Sequence, residues 1–162
     1  MSDSKPAGPN TGSPNTGSPN TGGPNTGGPV IGIGTDIIEC VRIAKMIEKH
    51  GELFLNRVYT RNEIAYCSCR KSANQHYAGR WAAKEAVLKA LGTGWARGIQ
   101  WTDIEIGNEI GGRPYIELDG QAKLISQQQG IQNIMISISH CRSYAIAYAT
   151  AVGAGQSRQP ES

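Results

Sequence analysis

The sequence lacks the features of membrane-spanning, secreted and disulfide-stabilised proteins. It holds only four cysteines among 162 residues, and no apolar run reaches the 18 residues of a transmembrane helix. The first residues, Met-Ser-Asp-Ser-Lys-Pro, contain no apolar segment of the kind found in secretory signals. Cys67 and Cys69 are separated by one residue and have no second pair, unlike the ligands of a zinc site. We therefore expect a cytoplasmic protein with reduced thiols.

Several well-known catalytic and nucleic-acid-binding motifs are also absent. No G-x-S-x-G, H-E-x-x-H or G-x-x-x-x-G-K-[ST] occurs, which disfavours hydrolase triads, zinc peptidases and P-loops. Gly32 and Gly34 lack the third glycine of a dinucleotide-binding turn. Only one Phe is present, and no motif combines arginine with aromatic residues as RNA-binding modules do. We expect neither a nucleic-acid partner nor a membrane partner.

Proline and glycine are concentrated at one end of the chain. Residues 1–29 hold six of the eight prolines and repeat the pattern G-[S/G]-P-N-T. Because this segment has almost no apolar side chains to bury, it cannot offset the entropy lost on ordering. We expect a disordered tail over 1–29, one domain with a single core over 30–152, and a second disordered tail over 153–162.

Charge is distributed unevenly between the two halves of the predicted domain. Residues 30–98 carry a net charge of +5, whereas residues 99–162 carry −2. A basic half of this kind favours an acidic partner or a phosphorylated ligand.

Three helical segments are predicted in the basic half. The D-I-I-E pattern beginning at Asp36 predicts a cap and a helix that Gly51 ends. The T-R-N-E pattern beginning at Thr60 is a second capping box. The strongest helical segment covers 74–91 and is rich in alanine.

The later part of the chain is dominated by predicted strands. Alternating or β-branched segments predict strands over 30–35, 99–106, 115–118, 131–139 and 144–152, with a helix over 120–129. The break around residues 140–143 indicates an antiparallel hairpin. Because helices are grouped early and strands late, the fold class is predicted to be α+β.

Candidate catalytic residues lie in the strongest helix and directly after the first strand. Glu85 and Lys89 are four residues apart and therefore share a helix face. They could be catalytic, and the alternative is a simple ion pair exposed to solvent. The glycines after that helix, beginning with Gly92, are expected to offer free backbone N–H groups to an anion. Asp36 could cap the helix or, with Glu85, supply carboxylates to Mg²⁺. Ser139 and His140, at a strand end, could be structural or could bind a phosphate.

Four separated segments resemble the holo-acyl-carrier-protein synthase family, the small bacterial type of 4′-phosphopantetheinyl transferase. They are G-I-G-T-D-I-I-E at 32–39, R-W-A-A-K-E-A-V-L-K-A-L-G-T-G at 80–94, D-I-E-I with G-R-P at 103–114, and S-I-S-H at 137–140. Their order and spacing fit the family from about Val30 to Val152, and the proline-rich tail lies outside the resemblance. The fold that it implies is an antiparallel sheet packed against a long helix.

The resemblance implies transfer of 4′-phosphopantetheine from coenzyme A to a serine of apo-acyl carrier protein, which releases adenosine 3′,5′-bisphosphate. Asp36 and Glu85 are then expected to bind Mg²⁺, and Lys89 is expected to contact the pyrophosphate. Further coenzyme A contacts are expected from Lys71, Arg80, Gly92, Ser139 and His140. Either a metal-bound water or Glu85 would deprotonate the carrier serine. The motifs leave open whether the carrier serves fatty-acid or polyketide synthesis.

The resemblance also gives expectations about partners. Exposed side chains of the first helix would dock the acidic carrier: Arg42, Lys45, Met46 and Lys49. Family members of this type form homotrimers with an active site between adjacent subunits, so a homotrimer is expected here. A charged face exposed only to solvent is the alternative for Lys45 and Lys49. A non-catalytic module that binds a carrier protein or a nucleotide is the alternative for the whole chain.

Overall fold

The computed structural model describes residues 28–94 and 98–155. Five strands and four α-helices occur in this part of the chain. In order they are β1 (Val30–Glu39), α1 (Cys40–Val58), α2 (Arg61–Ser68), α3 (Ala73–Ala90), β2 (Ile104–Asn108), β3 (Pro114–Leu118), α4 (Gly120–Gln128), β4 (Ile131–His140) and β5 (Tyr144–Gly153). A short 3₁₀ helix, Trp101–Asp103, precedes β2. None of these helices is long and apolar enough to cross a membrane.

The strands form two antiparallel sheets, as an α+β fold requires. The larger sheet has the order β1-β5-β4, and β2 pairs with β3 in the smaller one. The predicted hairpin at the end of the chain is confirmed as β4 and β5. The predicted strand over 99–106 begins only at Ile104, because Asp103 folds back and accepts hydrogen bonds from the backbone N–H of Gln100 and Gln121.

The predicted start of the first helix is wrong. Asp36 is not a helix cap, because β1 continues through Glu39 by pairing with β5, and Asp36 lies opposite Ala147. Helix α1 therefore begins at Cys40. The predicted end is confirmed: Gly51 has a non-helical backbone, with φ 53° and ψ −133°, so the helix breaks there and a second helical stretch runs on to Val58, whose side chain is buried. The capping box at Thr60 is confirmed, since Thr60 and Glu63 each accept a hydrogen bond from the other's backbone N–H.

Small residues allow α3 to lie directly on the larger sheet. The sheet-facing side of α3 is built from buried alanines, and alternate residues of β5 are alanines with almost no exposure. On β1, a Cβ atom at Gly32 or Gly34 would overlap the backbone of α3 at Ala90 and Ala86. The glycines before Asp36 are thus needed for close approach of helix and strand, and this approach fixes which residues of α3 lie beside Asp36.

The two predicted tails fall mainly outside the described residues, at 1–27 and 156–162. At the described edge, Gly153 is the last residue of β5, and its N–H donates to the carbonyl of Pro29 at 2.9 Å. The residues at the two proposed boundaries of the domain are therefore hydrogen-bonded to each other.

Candidate active site

Asp36 and Lys89 are in direct contact. The Lys89 ammonium donates to Asp36 Oδ1 at 2.9 Å and to the Thr35 carbonyl at 2.8 Å. The Asp36 side chain is 19% exposed and that of Lys89 is 47% exposed, so both remain open to a ligand. Two of the predicted catalytic residues, more than fifty positions apart in sequence, therefore lie together.

Glu85 lies on the same face of α3 as Lys89, one helical turn earlier, and is half-buried. Side chains alternate along a strand, so Asp36 projects from the same face of β1 as Gly34, which is the face that contacts α3. The packing of α3 on β1 thus places the two carboxylate-bearing residues on facing surfaces of one helix and one strand.

The loop after α3 differs from the sequence expectation. Gly92 adopts φ 67°, as a glycine that ends a helix does, and its N–H donates to the Lys89 carbonyl at 3.0 Å. The N–H of Thr93 donates to the Leu88 carbonyl. The expectation that Gly92 offers a free N–H to an anion is therefore wrong, because the last carbonyls of α3 use these donors. A ligand contact at Gly92 stays a prediction.

Arg80 and His140 line one cavity of about 180 Å³, where α2, α3, β2 and the end of β4 meet. Arg80 is 4% exposed and donates to Asn108 Oδ1 at 2.7 Å. Its guanidinium carbon lies 4.1 Å from the centre of the Tyr66 ring, a cation–π contact. His76 also lines the cavity, and its ring centre is 5.2 Å from that of His140.

The remaining predicted ligand contacts are placed elsewhere in this chain. Lys71 lies in the turn before α3 and lines a separate cavity with Arg142. Ser139 precedes His140 on β4, so strand alternation directs it to the opposite face of the sheet, where it is exposed. Contacts of Lys71 and Ser139 with coenzyme A stay predictions.

The residues predicted to dock a carrier lie together along α1. Arg42, Lys45, Met46 and Lys49 are all exposed. Met46 also lines an apolar groove of about 360 Å³ beside the second half of α1. Phe54, Trp81 and Trp101 form its wall, with the rings of Trp81 and Trp101 4.4 Å apart. A basic helix face thus borders an apolar groove.

Sequence reasoning missed a buried ion pair next to Glu85. Lys84 Nζ lies 2.7 Å from Glu63 Oε2, and both side chains are fully buried. The ammonium also donates to the carbonyls of Trp101 and Ile104, while Glu63 Oε1 accepts from the N–H of Ile106. Burial lowers the pKa of Lys84, and the Glu63 carboxylate opposes that shift. The pair ties α3 to α2 and β2. The available signal was the helical spacing that places Lys84 on the apolar face formed by Val87, Leu88 and Leu91.

Comparison with known proteins shows the family. The model of the 4′-phosphopantetheinyl transferase superfamily matches residues 32–149. A holo-[acyl-carrier-protein] synthase from Protochlamydia amoebophila is 52% identical over 119 residues, which cover 74% of this chain and 95% of that protein. The solved holo-[acyl-carrier-protein] synthase from Neisseria meningitidis is 32% identical with a TM-score of 0.70, covering 76% of this chain and 98% of that one. The Helicobacter pylori enzyme, solved with coenzyme A, is 33% identical with a TM-score of 0.66, covering 74% and 98%. This chain belongs to the 4′-phosphopantetheinyl transferase superfamily.

Proposed function

We propose that this chain transfers 4′-phosphopantetheine from coenzyme A to a serine of apo-acyl carrier protein and releases adenosine 3′,5′-bisphosphate. The observation that carries the proposal is the contact of Asp36 with Lys89 beside the Glu85 face of α3. The names of the relatives, and the coenzyme A bound to the Helicobacter pylori enzyme, agree with it. We expect the reaction to take place in the cytoplasm.

The donor set at this site fits Mg²⁺. Asp36 and Glu85 offer carboxylate oxygens, the ligands that this hard cation prefers. Within 28–94 and 98–155, no group of three or more His, Cys, Asp or Glu residues could hold a metal. Two carboxylates leave positions for water and phosphate oxygens, as is usual for Mg²⁺. When bound, Mg²⁺ would offset the negative charge that develops on the pyrophosphate.

The chain's own residues supply positioning and charge. The Lys89 ammonium is half-exposed and already held by two oxygens at the edge of the site, so it can reach a pyrophosphate oxygen with little reorganisation. The cavity at Arg80 and His140 would hold the 3′-phosphate end of coenzyme A. The reaction needs orientation of the serine toward the phosphorus atom and requires no covalent enzyme intermediate.

The positions of Arg80 and Lys89 on α3 support a site that is shared between subunits. Arg80 and Lys89 are nine residues apart on α3, roughly 13 Å along the axis. The 3′-phosphate and the pyrophosphate of coenzyme A are attached to the same ribose, only a few bonds apart. Nine residues are also about two and a half turns, so the two side chains leave α3 on nearly opposite sides, which favours contact with one coenzyme A molecule from two different chains. We propose that Asp36, Glu85 and Lys89 of one subunit face Arg80 and His140 of the next in a homotrimer.

An uncovered apolar surface supports such an assembly. Helix α3 covers one face of the larger sheet, and large apolar side chains are exposed on the other face. They are Ile33, Ile37, Met135, Tyr144, Ile146 and Tyr148. A group of exposed large apolar side chains on one sheet face is typical of an interface between proteins.

The basic face of α1 would dock the carrier. An acidic carrier helix would meet Arg42, Lys45 and Lys49 and would place an apolar side chain in the groove next to Met46. Charges at the rim of an interface mainly set the association rate, so transfer should slow as salt concentration rises.

A carrier mass assay tests the proposed reaction. The protein is mixed with coenzyme A, Mg²⁺ and apo-acyl carrier protein, and the carrier is weighed by mass spectrometry. We expect a gain of one phosphopantetheine group, which chelation of Mg²⁺ prevents. Asp36→Asn and Glu85→Gln should each lower kcat by about 100-fold or more without unfolding the protein.

Glu117→Gln is the matched control, because Glu117 is an exposed carboxylate on β3, remote in sequence from the site residues. It should leave transfer unchanged. A folded protein that adds no mass to a competent carrier would refute the proposed function. Full activity in Asp36→Asn or Glu85→Gln would refute the role of that residue.

A further inference from the structure

The cavity at Arg80 and His140 contains a second histidine that the proposed reaction has not used. His76, on α3, is half-buried, and its ring packs edge-on against His140 at the end of β4. The ring of Tyr66, on α2, contacts the other side of His76, with ring centres 5.8 Å apart. His76 is therefore held between two elements that line the cavity.

Three basic side chains lie around His76. Arg80 is on the same helix, Arg70 follows α2 and lies 4.4 Å from the Tyr66 ring, and His140 is on β4. Tyr66 is the other titratable group in contact with it. No carboxylate is among the residues that line the cavity. The cavity therefore suits a ligand with more than one negative charge.

Arg80 provides an independent sign that a ligand is missing from this cavity. The residue is 96% buried, and its Nε atom is buried without a hydrogen-bond partner in the described part of the chain. Buried donors are almost always satisfied in folded proteins. A phosphate oxygen in the cavity would supply an acceptor once the guanidinium turns toward it, since the Nε atom itself has no exposed surface.

We propose that His76 is a further binding residue for the 3′-phosphate of coenzyme A and that it takes up a proton as this phosphate binds. The inference rests on the proposed function, since it deepens the recognition of the same substrate. In the free protein, burial lowers the pKa of His76, and the charges of His140, Arg80 and Arg70 lower it further. A dianionic phosphate offsets those charges, so it favours the protonated ring.

The direction of the pH effect follows from this coupling. At pH values above the pKa of His76 in the free protein, binding must draw a proton from solution, so affinity rises as the pH falls. The second pKa of a phosphate monoester is about 6, so the ligand is mostly dianionic above about pH 6.5. We expect the KM for coenzyme A to decrease several-fold from pH 8 to pH 6.5, within the tenfold per pH unit that one proton allows.

Calorimetry measures the proton directly. Adenosine 3′,5′-bisphosphate is titrated into the intact protein in two buffers of different ionisation enthalpy at pH 7.5, which gives the number of protons taken up. We expect net uptake in the wild type and little in His76→Phe, which keeps an aromatic ring against His140 and Tyr66. His76→Gln provides a second variant if the first does not fold. Uptake equal to that of the wild type in a folded variant would overturn the proposal, as would absence of nucleotide binding.

Kinetics with a matched substrate complete the test. For coenzyme A at pH 6.5, His76→Phe should raise KM about 3- to 10-fold with kcat unchanged, because it removes binding common to ground and transition states. For 3′-dephospho-coenzyme A, which lacks the 3′-phosphate, neither His76→Phe nor the change of pH should alter KM in this way. An equal effect on both substrates would overturn the proposal. If the carrier gains no mass but nucleotide binding shows uptake dependent on His76, the proposed transfer fails and this inference stands.

Discussion

At the scale of single residues, the buried pair of Lys84 and Glu63 shows how α3 is held in place. Each charged group is surrounded by partners: Lys84 contacts one carboxylate and two carbonyls, and Glu63 accepts from the backbone N–H groups of Thr60 and Ile106. Such a pair adds little net stability over apolar residues, but removing one partner leaves a buried charge without compensation.

We therefore predict a large cost for Lys84→Met alone. The free energy of unfolding should fall by about 3–5 kcal/mol, because the Glu63 carboxylate stays buried without its ammonium. Combining Lys84→Met with Glu63→Gln should recover part of the loss, which urea denaturation can measure. Lys123→Met, on the exposed surface of α4, is the control and should change stability by about 0.5 kcal/mol or less. A loss under about 1 kcal/mol in Lys84→Met would contradict this account.

At the scale of elements, the sequence predicted the structure that depends on neighbouring residues, but it did not predict the structure that depends on contacts between distant segments. The capping box at Thr60 and the alanine-rich α3 lie where sequence placed them, since their determinants are a few residues apart. The D-I-I-E pattern at Asp36 resembles a helix start, but pairing of β1 with β5, more than a hundred residues away, keeps Asp36 in a strand. The contact between Asp36 and Lys89 could not be derived from local spacing, because it depends on how α3 packs against β1.

The same packing gives a prediction for Gly34. A Cβ atom there would overlap the Ala86 carbonyl and lie 2.7 Å from the backbone nitrogen of Ala90. Gly34→Ala should force α3 away from β1, lower the free energy of unfolding by at least ~2 kcal/mol and separate Lys89 from Asp36. Transfer activity should fall even at temperatures where the variant stays folded, as checked by circular dichroism beside the carrier mass assay.

Gly111→Ala is the matched control for this substitution. Gly111 has open space around its Cα atom and no positive φ, so an alanine fits there without displacement. The stability and activity of the Gly111→Ala variant should match those of the wild type. If Gly34→Ala behaves like Gly111→Ala, the close approach of α3 and β1 does not position the site.

At the scale of the whole molecule, the exposed apolar face of the larger sheet and the proposed sharing of the site between subunits both favour an oligomer. Two apolar, β-branched segments and the break at residues 140–143 predicted the hairpin of β4 and β5, but they could not distinguish a face buried by α3 from a face buried by another subunit. Ile37 is 62% exposed and Ile146, its neighbour on the central strand β5, is 44% exposed, although both side chains are large and apolar. Their burial against other copies would stabilise the proposed trimer.

Mixing two inactive variants tests whether the site is shared. Asp36→Asn removes a group from one half of the proposed site, and His140→Ala removes a group from the other half. In oligomers assembled at random from both chains, up to about a quarter of the interfaces would combine two intact halves, so activity should return on co-expression. Asp36→Asn mixed with Glu85→Gln is the control: both changes affect the same half, so no interface regains it. Mass spectrometry identifies the mixed oligomers. Only a site built from two subunits can be restored when the two variants exchange chains. If the mixed oligomers stay as inactive as this control, each chain works alone.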